Sequence, residues 1–452
     1  MLKDFIADVK NKKVSVIGAG VSNTPLIRML WDHCRLFVHD KKVESQLDPA
    51  FLAELKAHKV NLILGEGYLD KLDGDVIFRT PGVRPDVPAL EAARARGASI
   101  TSEMDTFFAH CPCPITAITG SDGKTTTSTM IAELLRAQGY DVFLGGNIGA
   151  PLLPRLDEMN ANSRVVVELS SFQLMDMTHA PDVAVVTNVT PNHLDWHRSM
   201  GEYESAKYNL LARQTSSNIC VLNHDDMTTR GFGERCSSQA KFFSLSPLEK
   251  GYSFDGESIC KDGKPVLRAD RLRIPGRHNI ANFMAAIAAT EHEVGEESIA
   301  RVADTFTGVE HRIEFTRELD GVKYYNDSIA SSPTRAQAGL MCFDCPVVLI
   351  AGGYDKKIAF DEFGELVCKR VDTLMLCGAT ADKIEAAVNN AKEPKKPVIY
   401  RFDDLKTTVE ACRKIAKSGS VVLFSPACAS FDQFPNFMER GRFFKQTVNE
   451  LI

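Results

Sequence analysis

The chain has 452 residues, of which 44% are hydrophobic and 25% charged, a globular composition with a length that corresponds to roughly three domains. The formal net charge of −6 provides no general attraction for duplex nucleic acid. No stretch approaches the roughly 18 uninterrupted apolar residues of a membrane-spanning helix, and the charged residues 1–11 predict no signal peptide, so we expect a cytoplasmic protein that binds neither nucleic acid nor membrane.

Short apolar strands alternate with helical patterns along the chain, which predicts an α/β protein with parallel sheets. The first such unit has a strand at 14–17, a Gly-Ala-Gly turn at 18–20, a helix over 22–33 and a second strand that ends at Asp40. This order is typical of a Rossmann-like unit. Asn23 stands where the dinucleotide fingerprint has its third glycine, so a nucleotide or diphosphate other than NAD is favoured over NAD. A tight turn without a ligand is the alternative.

The strongest motif follows a strand predicted at 115–118 and precedes a helix over 129–135. It reads Gly120-Ser121-Asp122-Gly123-Lys124-Thr125. Glycines allow backbone N–H groups to surround phosphates, and the helix N-terminus attracts anions. Lys124 can reach the terminal phosphates, and the Thr125 hydroxyl can bind Mg²⁺. The spacing GxxGKT is shorter than the usual GxxxxGKT, yet it favours nucleoside triphosphate binding over a simple turn.

Further polar residues suggest metal chemistry. Glu168 ends a buried strand, where a carboxylate needs Mg²⁺ or a salt bridge. His193 lies in a polar loop, and we interpret it as a neighbour of the metal or substrate and His197 as a surface or packing residue. Lys207 lies in a helical pattern, and its chemistry alone favours a solvated lysine paired with Glu204.

The last part of the chain contains a second candidate ligand-binding edge. The amides Asn279 and Asn282 precede this edge and share one face of a predicted helix over 279–290. They can form hydrogen bonds with the edge of a purine, which alone is weak support for a nucleotide site. Four strands then each end in a polar or glycine-rich turn, and in a parallel sheet such turns meet at one ligand-binding edge. These strands are predicted at 322–325, 347–350, 374–376 and 421–424.

Taken together and in this order, these segments resemble the Mur ligases, a family of ATP-dependent amide-bond synthetases, over nearly the whole chain. The resemblance rests most on residues 425–434 with Phe437, Arg440 and Gly441, supported by 168–174, 188–195, His311-Arg312 and 326–328. It implies an α/β fold of three domains: a Rossmann-like UDP-substrate domain over 1–102, a P-loop ATP-binding domain over 103–309, and a C-terminal Rossmann-like amino-acid domain over 310–452.

The resemblance also implies an activity. D-glutamate would be added to UDP-N-acetylmuramoyl-L-alanine through an acyl phosphate, with ATP cleaved to ADP and phosphate in the presence of Mg²⁺, as a step of peptidoglycan precursor synthesis by a cytoplasmic monomer. Another Mur ligase that adds a different amino acid is an alternative. So is a folylpolyglutamate synthetase-like ligase, although that family begins near its P-loop. An NAD-dependent oxidoreductase and a non-catalytic nucleotide-binding regulator are the alternatives from other classes.

The site residues implied by the resemblance fall into four groups. The UDP-substrate would be contacted by Gly20, Val21, Ser22, Asp40, Lys42, Thr80, Asn147 and His193. ATP would be contacted by Gly120, Ser121, Asp122, Gly123, Lys124, Thr125, Thr126, Asn279, Asn282, Arg312 and Asp327. D-glutamate would be contacted by Ser331, Lys356, Ser430 and Phe437. Mg²⁺ would be held by Thr125, Glu168, His193 and Lys207, the last carbamylated as in the family. The implied catalytic residues are Lys124, Glu168, His193 and Lys207.

The chain departs from the family pattern at two places. Many members continue with Lys-Ala-Thr-Asn after the segment 326–328, whereas this chain has Ile329-Ala330-Ser331-Ser332. The change removes one contact for an anion, and Ser331 can retain a hydroxyl there. Asp122 places an acid next to the phosphates, and we interpret its side chain as pointing away from them or assisting the metal.

Overall fold

The computed structural model describes residues 2–20 and 22–452, and three β-sheets organise them. The strands of the first sheet are β1 (Lys13–Ile17), β2 (Arg35–Asp40), β3 (Asn61–Leu64), β4 (Val76–Phe78) and β5 (Ser99–Thr101). They are parallel in the order β3-β2-β1-β4-β5. The accompanying helices are α1 (Leu2–Val9), α2 (Asn23–Leu30), α3 (Pro49–Ala57), α4 (Pro88–Ala95) and α5 (Glu103–His110).

The second sheet contains nine strands. They are β6 (Ile115–Thr119), β7 (Val142–Gly146), β8 (Arg164–Glu168), β9 (Val183–Val186), β10 (Ile219–Asn223), β11 (Gln239–Ser244), β12 (Tyr252–Phe254), β13 (Ser258–Lys261) and β14 (Lys264–Arg268). Their order is β14-β13-β12-β11-β10-β9-β6-β8-β7. The helices from this point up to the third sheet are α6 (Lys124–Gln138), α7 (Ser171–Leu174), α8 (Met200–Tyr208), α9 (Met227–Arg235), α10 (Arg277–Thr290) and α11 (Glu296–Thr305).

The third sheet contains six strands in the order β15-β16-β20-β17-β18-β19. They are β15 (Glu314–Leu319), β16 (Val322–Asn326), β17 (Val347–Ala351), β18 (Val371–Cys377), β19 (Val398–Phe402) and β20 (Val421–Phe424). Its helices are α12 (Pro333–Leu340), α13 (Asp361–Arg370), α14 (Ala381–Asn390), α15 (Leu405–Ile415) and α16 (Phe437–Glu450). Short 3₁₀ helices occur at Glu44–Gln46, Leu153–Glu158 and Ala269–Arg271.

The predicted α/β fold is confirmed, and its sheets are mainly parallel as expected, but antiparallel strands extend two of them. Strands β12, β13 and β14 pair antiparallel at one edge of the second sheet, and β15 pairs antiparallel with β16. Two of these connections are two-residue Asp-Gly turns, Asp262-Gly263 and Asp320-Gly321, in which both residues have positive φ. Such turns match the twist of a hairpin, which explains the antiparallel pairing.

The segment 120–125, which we call the phosphate loop, follows a strand at the centre of the second sheet. All residues of β6 are buried, and β6 pairs in parallel with β8 on one side and β9 on the other. The carboxyl ends of these three strands therefore lie side by side at one edge of the sheet, where open α/β sheets bind ligands. In the third sheet, β17 and β20 are also fully buried neighbours.

The internal contacts divide the described residues into two compact units. One comprises residues up to 269 together with 280–302, and the other comprises 270–279 and 303–452. Each sheet lies inside one of the three predicted domains, and the domain boundaries at 102/103 and 309/310 stay a prediction. None of the helices among the described residues has both the length and the apolar character needed to cross a membrane.

Within the first unit, a buried arginine after β4 joins the first sheet to the second. Arg79 is 1% exposed, and its Nε donates to Asp176 Oδ2 at 2.8 Å. Its Nη1 donates to the Val83 carbonyl at 2.6 Å, and its Nη2 donates to the Phe172 carbonyl at 3.2 Å and to Asp176. Asp176 and Phe172 belong to the region that follows β8, so this arginine fixes the loops of the two sheets to each other.

Replacing Arg79 by alanine is expected to lower the free energy of unfolding by about 3–5 kcal/mol, because it leaves Asp176 and several carbonyl groups without their partner. Urea denaturation followed by circular dichroism measures the change. The exposed pair Arg136 and Glu133 on α6 offers a control, since Arg136→Ala should have little effect. A loss for Arg79→Ala no larger than that of the control would show that the ion pair contributes nothing to stability.

Candidate active site

The phosphate loop connects β6 to α6 in a conformation that requires glycine. Gly120 has φ of 151° and Gly123 has φ of 79°. A Cβ added to Gly120 would lie 1.9 Å from Thr187 Oγ1, so no other residue fits without a displacement of the neighbouring strand end. The backbone of the loop therefore leads directly into the N-terminus of α6, the arrangement found in anion-binding loops.

The segment after β9 holds this loop in place. Ser121 N donates to the Asn188 carbonyl at 3.0 Å, and Asp122 N donates to Asn188 Oδ1 at 2.9 Å. Thr187 Oγ1 donates to the Asp122 carbonyl at 2.6 Å. The Asp122 side chain itself is exposed. This positioning role of Thr187 and Asn188 was not predicted, although their place at a strand end beside β6 is a signal for it.

Two lysines converge on the carbonyl of Gly120. Lys124 Nζ donates to it at 2.9 Å and to the Ser121 carbonyl at 2.8 Å. Lys207 Nζ donates to the same Gly120 carbonyl at 2.7 Å and lies 4.5 Å from the centre of the Tyr203 ring. The structure thus places a second lysine, Lys207, at the phosphate loop. The P-loop motif itself contains only Lys124.

Lys207 is only 1% exposed, so the interpretation of this residue as a solvated lysine paired with Glu204 is wrong. Burial and, to a smaller extent, the positive charge of Lys124 lower the pKa of its amine to about 7. A substantial fraction of the amine is therefore neutral near pH 7, and a neutral amine is a nucleophile.

Glu168 at the end of β8 is brought together with Thr125 and Asn147. The Glu168 carboxylate is 2% exposed. Its Oε2 accepts a hydrogen bond from Thr125 Oγ1 at 2.7 Å, and its Oε1 accepts one from Asn147 Nδ2 at 2.9 Å. The part of the chain that the structure describes has no group of three or more His, Cys, Asp or Glu side chains that could hold a metal ion by themselves. A carboxylate next to a hydroxyl fits Mg²⁺, which uses few protein ligands when substrate phosphates complete its shell.

The two histidines of the loop after β9 occupy different environments. His193 is exposed, has φ of 54°, and its ring centre lies 5.0 Å from that of Phe172. Partial desolvation and the positive charges of Lys124 and Lys207 lower the pKa of His193. His197 is 2% exposed and its Nε2 lies 2.9 Å from Ser171 Oγ, so it is a packing residue and not a surface residue.

The two amides on α10 belong to different units. In the first unit, Asn282 is buried and its Oδ1 accepts a hydrogen bond from Thr127 Oγ1 on α6 at 3.3 Å. This contact places Asn282 beside the first turn of the helix that follows the phosphate loop. In the second unit, Asn279 Nδ2 donates to the Pro275 carbonyl at 2.6 Å.

In the first sheet, Asp40 organises the loop after β1. Its Oδ2 accepts a hydrogen bond from Ala19 N at 2.7 Å, and its Oδ1 accepts one from Lys42 N at 2.8 Å. Thr80 lies beside the same loop, because a Cβ added to Gly18 would be 3.3 Å from it. Four of the predicted contacts, Gly20, Asp40, Lys42 and Thr80, therefore belong to one edge of this sheet, while Val21 lies outside the described residues.

A cleft of about 280 Å³ extends between the loops of the first and second sheets. It connects Ser22, which follows the turn at 18–20, with Asn147, the partner of Glu168. The remaining residues that line it are Asn23, Arg79, Pro81, Ser102, Glu103, Met104, Gly146, Gly149, Pro151, Ser170, Phe172 and Gln173. The cleft therefore leads from one predicted binding loop to the other.

In the second unit, the loops after β16 and β20 meet at a buried carboxylate. Asp327 is 3% exposed, and its Oδ2 accepts a hydrogen bond from Ser425 Oγ at 2.7 Å. Burial raises the pKa of Asp327 to about 7, although Ser425 and the backbone N–H of Ile313 favour the charged form. Arg312, half-buried on the neighbouring segment, provides a positive charge that also favours it.

The residues predicted for the amino acid lie on the loops of this same edge. Lys356 Nζ donates to the Ser331 carbonyl at 3.4 Å, Ser430 is buried, and Phe437 begins α16. Arg440 supports them, since its guanidinium donates to the Ser328 carbonyl at 2.8 Å and to the Ala429 carbonyl at 2.9 Å. Lys356 and Ser331 are thus brought together, and Arg440 fixes the loops on both sides.

Comparison with known proteins places this geometry in a family. The model of the Mur ligase middle domain matches residues 118–290, and that of the Mur ligase glutamate ligase domain matches 311–428. The UDP-N-acetylmuramoylalanine–D-glutamate ligase of Clostridium kluyveri is 48% identical over 454 residues, which cover 99% of each chain. The ligase of the same name from Acetivibrio thermocellus is 48% identical over 461 residues, which cover 100% of this chain and 99% of that one.

Solved structures share the fold at low sequence identity. UDP-N-acetylmuramate-alanine ligase MurC from Thermotoga maritima has a TM-score of 0.55 at 19% identity and is matched over 97% of this chain and 99% of its own. The MurF ligase from Thermotoga maritima, solved in complex with ADP, has a TM-score of 0.56 at 17% identity, over 98% and 97% of the two chains. The chain has a P-loop with the buried Lys207 and Glu168 beside it, and relatives that are 48% identical cover at least 99% of it. The chain therefore belongs to the Mur ligase family.

Proposed function

We propose that the protein catalyses the ATP-dependent addition of D-glutamate to UDP-N-acetylmuramoyl-L-alanine, a step of peptidoglycan precursor synthesis. The observation that carries this proposal is the convergence of Lys124 and the buried Lys207 on the Gly120 carbonyl, at distances of 2.9 and 2.7 Å. Relatives that are 48% identical over 99% of their length and carry the corresponding ligase name support the choice of substrates.

The reaction has to activate a carboxylate, because oxide is not a leaving group. Transfer of the γ-phosphoryl group of ATP to the carboxylate of the L-alanyl residue forms an acyl phosphate and releases ADP. The amine of D-glutamate then attacks the acyl carbon, phosphate leaves, and the amine proton is lost as the amide forms. An acyl phosphate is hydrolysed by water, so the site must exclude water while the intermediate exists.

Lys124 is positioned to balance the negative charge on the phosphoryl group during transfer, as the lysine of a P-loop does. It begins α6, and its present partners, the Gly120 and Ser121 carbonyls, lie within the loop itself. Thr125 and Glu168 would hold Mg²⁺, with His193 and Lys207 as further ligands. When bound, Mg²⁺ would neutralise charge on the phosphate oxygens.

Lys207 would act as a carbamate. The ammonium group first loses one proton; the neutral amine then attacks CO₂, a C–N bond forms, and a second proton is released, so that a cation becomes an anion with two oxygen atoms. The low pKa of about 7 supports this reaction, because it provides neutral amine near pH 7. A hard cation such as Mg²⁺ prefers oxygen ligands, so the carbamate would be a better neighbour of the metal than an ammonium group.

The other predicted residues supply the three substrate sites. The UDP-substrate would occupy the cleft, with its diphosphate near Gly20, Val21 and Ser22, its uracil near Asp40 and Lys42, and Thr80, Asn147 and His193 as further contacts. The phosphate loop, Asn279, Asn282, Arg312 and Asp327 would bind ATP. Ser331, Lys356, Ser430 and Phe437 would bind D-glutamate. We also propose that the enzyme acts as a monomer in the cytoplasm, where ATP is available.

The function is tested by measuring ADP and phosphate release with UDP-N-acetylmuramoyl-L-alanine and a panel of amino acids that includes both enantiomers of glutamate. Release should require the UDP-substrate and D-glutamate together, and the amide product should be identified by mass spectrometry. A preference for another amino acid would assign the protein to another ligase activity of the family. AMP and pyrophosphate as the stoichiometric products would exclude the acyl-phosphate mechanism.

Lys356→Ala is expected to raise the KM for D-glutamate at least about tenfold, because a charge-assisted hydrogen bond to a carboxylate is lost, whereas the KM for ATP should not change. Initial rates at varied D-glutamate and ATP give both constants. The adjacent exposed Lys357 provides the matched control, and Lys357→Ala should leave the glutamate KM unchanged. The opposite result, an effect of Lys357→Ala alone, would move the glutamate site to that residue.

A further inference from the structure

The cleft between the first and second sheets contains a buried acid that the mechanism does not use. Glu103 is the first residue of α5, directly after the N-cap Ser102, and is 6% exposed. One carboxylate oxygen, Oε1, accepts a hydrogen bond from Leu153 N at 3.1 Å. Within residues 2–20 and 22–452 the other oxygen has no hydrogen-bond or ion-pair partner. Glu103 lines the cleft, so this oxygen is available to a ligand that enters it.

The charges around Glu103 indicate what kind of group can occupy the cleft. Among the described residues that line it, Glu103 is the only acid and Arg79 the only base. The Arg79 guanidinium is committed to Asp176 and to the Val83 and Phe172 carbonyls, so it does not pair with Glu103. Burial raises the pKa of Glu103 to about 7. In the ionised form, which predominates above pH 7, the free oxygen accepts a hydrogen bond from a hydroxyl or an amide N–H outside the protein.

The residues that line the cleft together with Glu103 indicate which part of the nucleotide substrate lies near this side chain. These residues include Ser22, beside the proposed diphosphate site, and Asn147, which contacts Glu168 near the proposed site of carboxylate activation. The part of UDP-N-acetylmuramoyl-L-alanine between its diphosphate and its alanyl carboxylate includes the amino sugar. That sugar carries free hydroxyl groups and an acetamido N–H, and it has no positive charge.

We infer that Glu103 binds the amino sugar of the nucleotide substrate by accepting a hydrogen bond from a sugar hydroxyl or from the acetamido N–H. This inference rests on the proposed function and adds a residue that distinguishes the glycosylated nucleotide from UDP alone. Glu103 is thereby a substrate-binding residue and takes no part in phosphoryl transfer.

The test is Glu103→Gln, which preserves the shape of the side chain and an oxygen for Leu153 N but replaces the free acceptor by an NH₂ donor. At a pH of about 8, where the carboxylate form of Glu103 predominates, the KM for UDP-N-acetylmuramoyl-L-alanine should rise at least about tenfold, the effect of losing a hydrogen bond to a charged group. The affinity for UDP, measured by calorimetry, and the KM values for ATP and D-glutamate should not change. An unchanged KM for the sugar nucleotide, or an equal loss of UDP affinity, would overturn the inference.

Asp105 on the same helix provides a matched structural control. Its carboxylate accepts hydrogen bonds from Thr178 N at 2.8 Å and Thr178 Oγ1 at 2.7 Å, and it does not line the cleft. Asp105→Asn should lower the melting temperature without raising the KM for the sugar nucleotide. If Asp105→Asn raised that KM as much as Glu103→Gln does, the effect would be a general consequence of disturbing α5, and the inference would be wrong.

The wild-type protein supplies a test that does not depend on the folding of a variant. Substrate analogues methylated singly at each free sugar hydroxyl or at the acetamido nitrogen remove one donated hydrogen at a time. One analogue should raise the KM of the wild type and cause no further increase in Glu103→Gln. If no analogue raises the wild-type KM, the inference fails. Absence of amide formation by the wild type would instead disprove the proposed function, so the two failures are distinguishable.

Discussion

Lys124→Ala should reduce kcat for amide formation by at least about 10²–10³-fold, because it removes a preorganised positive charge from the transferring phosphoryl group. The affinity for UDP-N-acetylmuramoyl-L-alanine should remain unchanged, since the cleft beside the first sheet does not include this lysine. Steady-state ADP release and calorimetric titration with the UDP-substrate measure the two effects separately.

A lysine elsewhere in the same unit controls for the loss of a surface charge. Lys250 is exposed in the segment before β12, and Lys250→Ala should retain full activity. If Lys124→Ala kept more than a few per cent of the wild-type kcat, the phosphate-binding role of Lys124 would be wrong, and the hydrogen bonds to Gly120 and Ser121 would be its only function.

Lys207→Ala should lose most activity, by more than about 10²-fold, and small carboxylates such as acetate or formate should restore part of it. The substitution empties the space that the carbamate would fill, and an added carboxylate can supply the missing anionic oxygen atoms. The measurement is the rate of ADP release at increasing concentrations of acetate or formate.

The same additives should not rescue Lys124→Ala, whose missing group is a cation, so this variant is the control for non-specific activation. Mass spectrometry of the native protein under CO₂-replete conditions tests the modification directly. Full activity of Lys207→Ala, or a lysine that remains free while the enzyme is active, would contradict the carbamate and leave Lys207 as a structural donor to the Gly120 carbonyl.

The elements around the phosphate loop were predictable from local sequence because pattern and structure agree there. An apolar strand, a glycine-rich turn and a helix begin within a few residues of their predicted positions, at β6 (Ile115–Thr119) and α6 (Lys124–Gln138). The antiparallel additions were not predicted. Their Asp-Gly pairs at 262–263 and 320–321 are typical hairpin turns, so the signal was present but was outweighed by the α/β alternation.

The candidate site was only partly accessible from sequence, because some contacts depend on long-range folding. Lys207 has the spacing of an exposed helical residue, and its burial against the Gly120 carbonyl joins residues 87 positions apart. The Arg79–Asp176 pair spans 97 positions and has no local pattern. In the sequence, Glu103 has the position of an ordinary acid in the first turn of a helix. Its burial depends on the cleft between the two sheets, which the local sequence does not predict.

The burial of Lys207 also has a thermodynamic consequence for the whole protein. In the unfolded chain this lysine keeps its ordinary pKa of 10.5, whereas in the fold its pKa is about 7. Between these pH values the unfolded chain binds more protons than the native protein, so the contribution of Lys207 opposes folding most below pH 7 and fades as the pH rises to 10.5. The proposed carbamate would consume the neutral amine of the native state, and dissolved CO₂ would thereby act as a ligand that shifts the equilibrium toward the folded protein. Carbamylation would thus offset part of the instability that the burial of Lys207 creates.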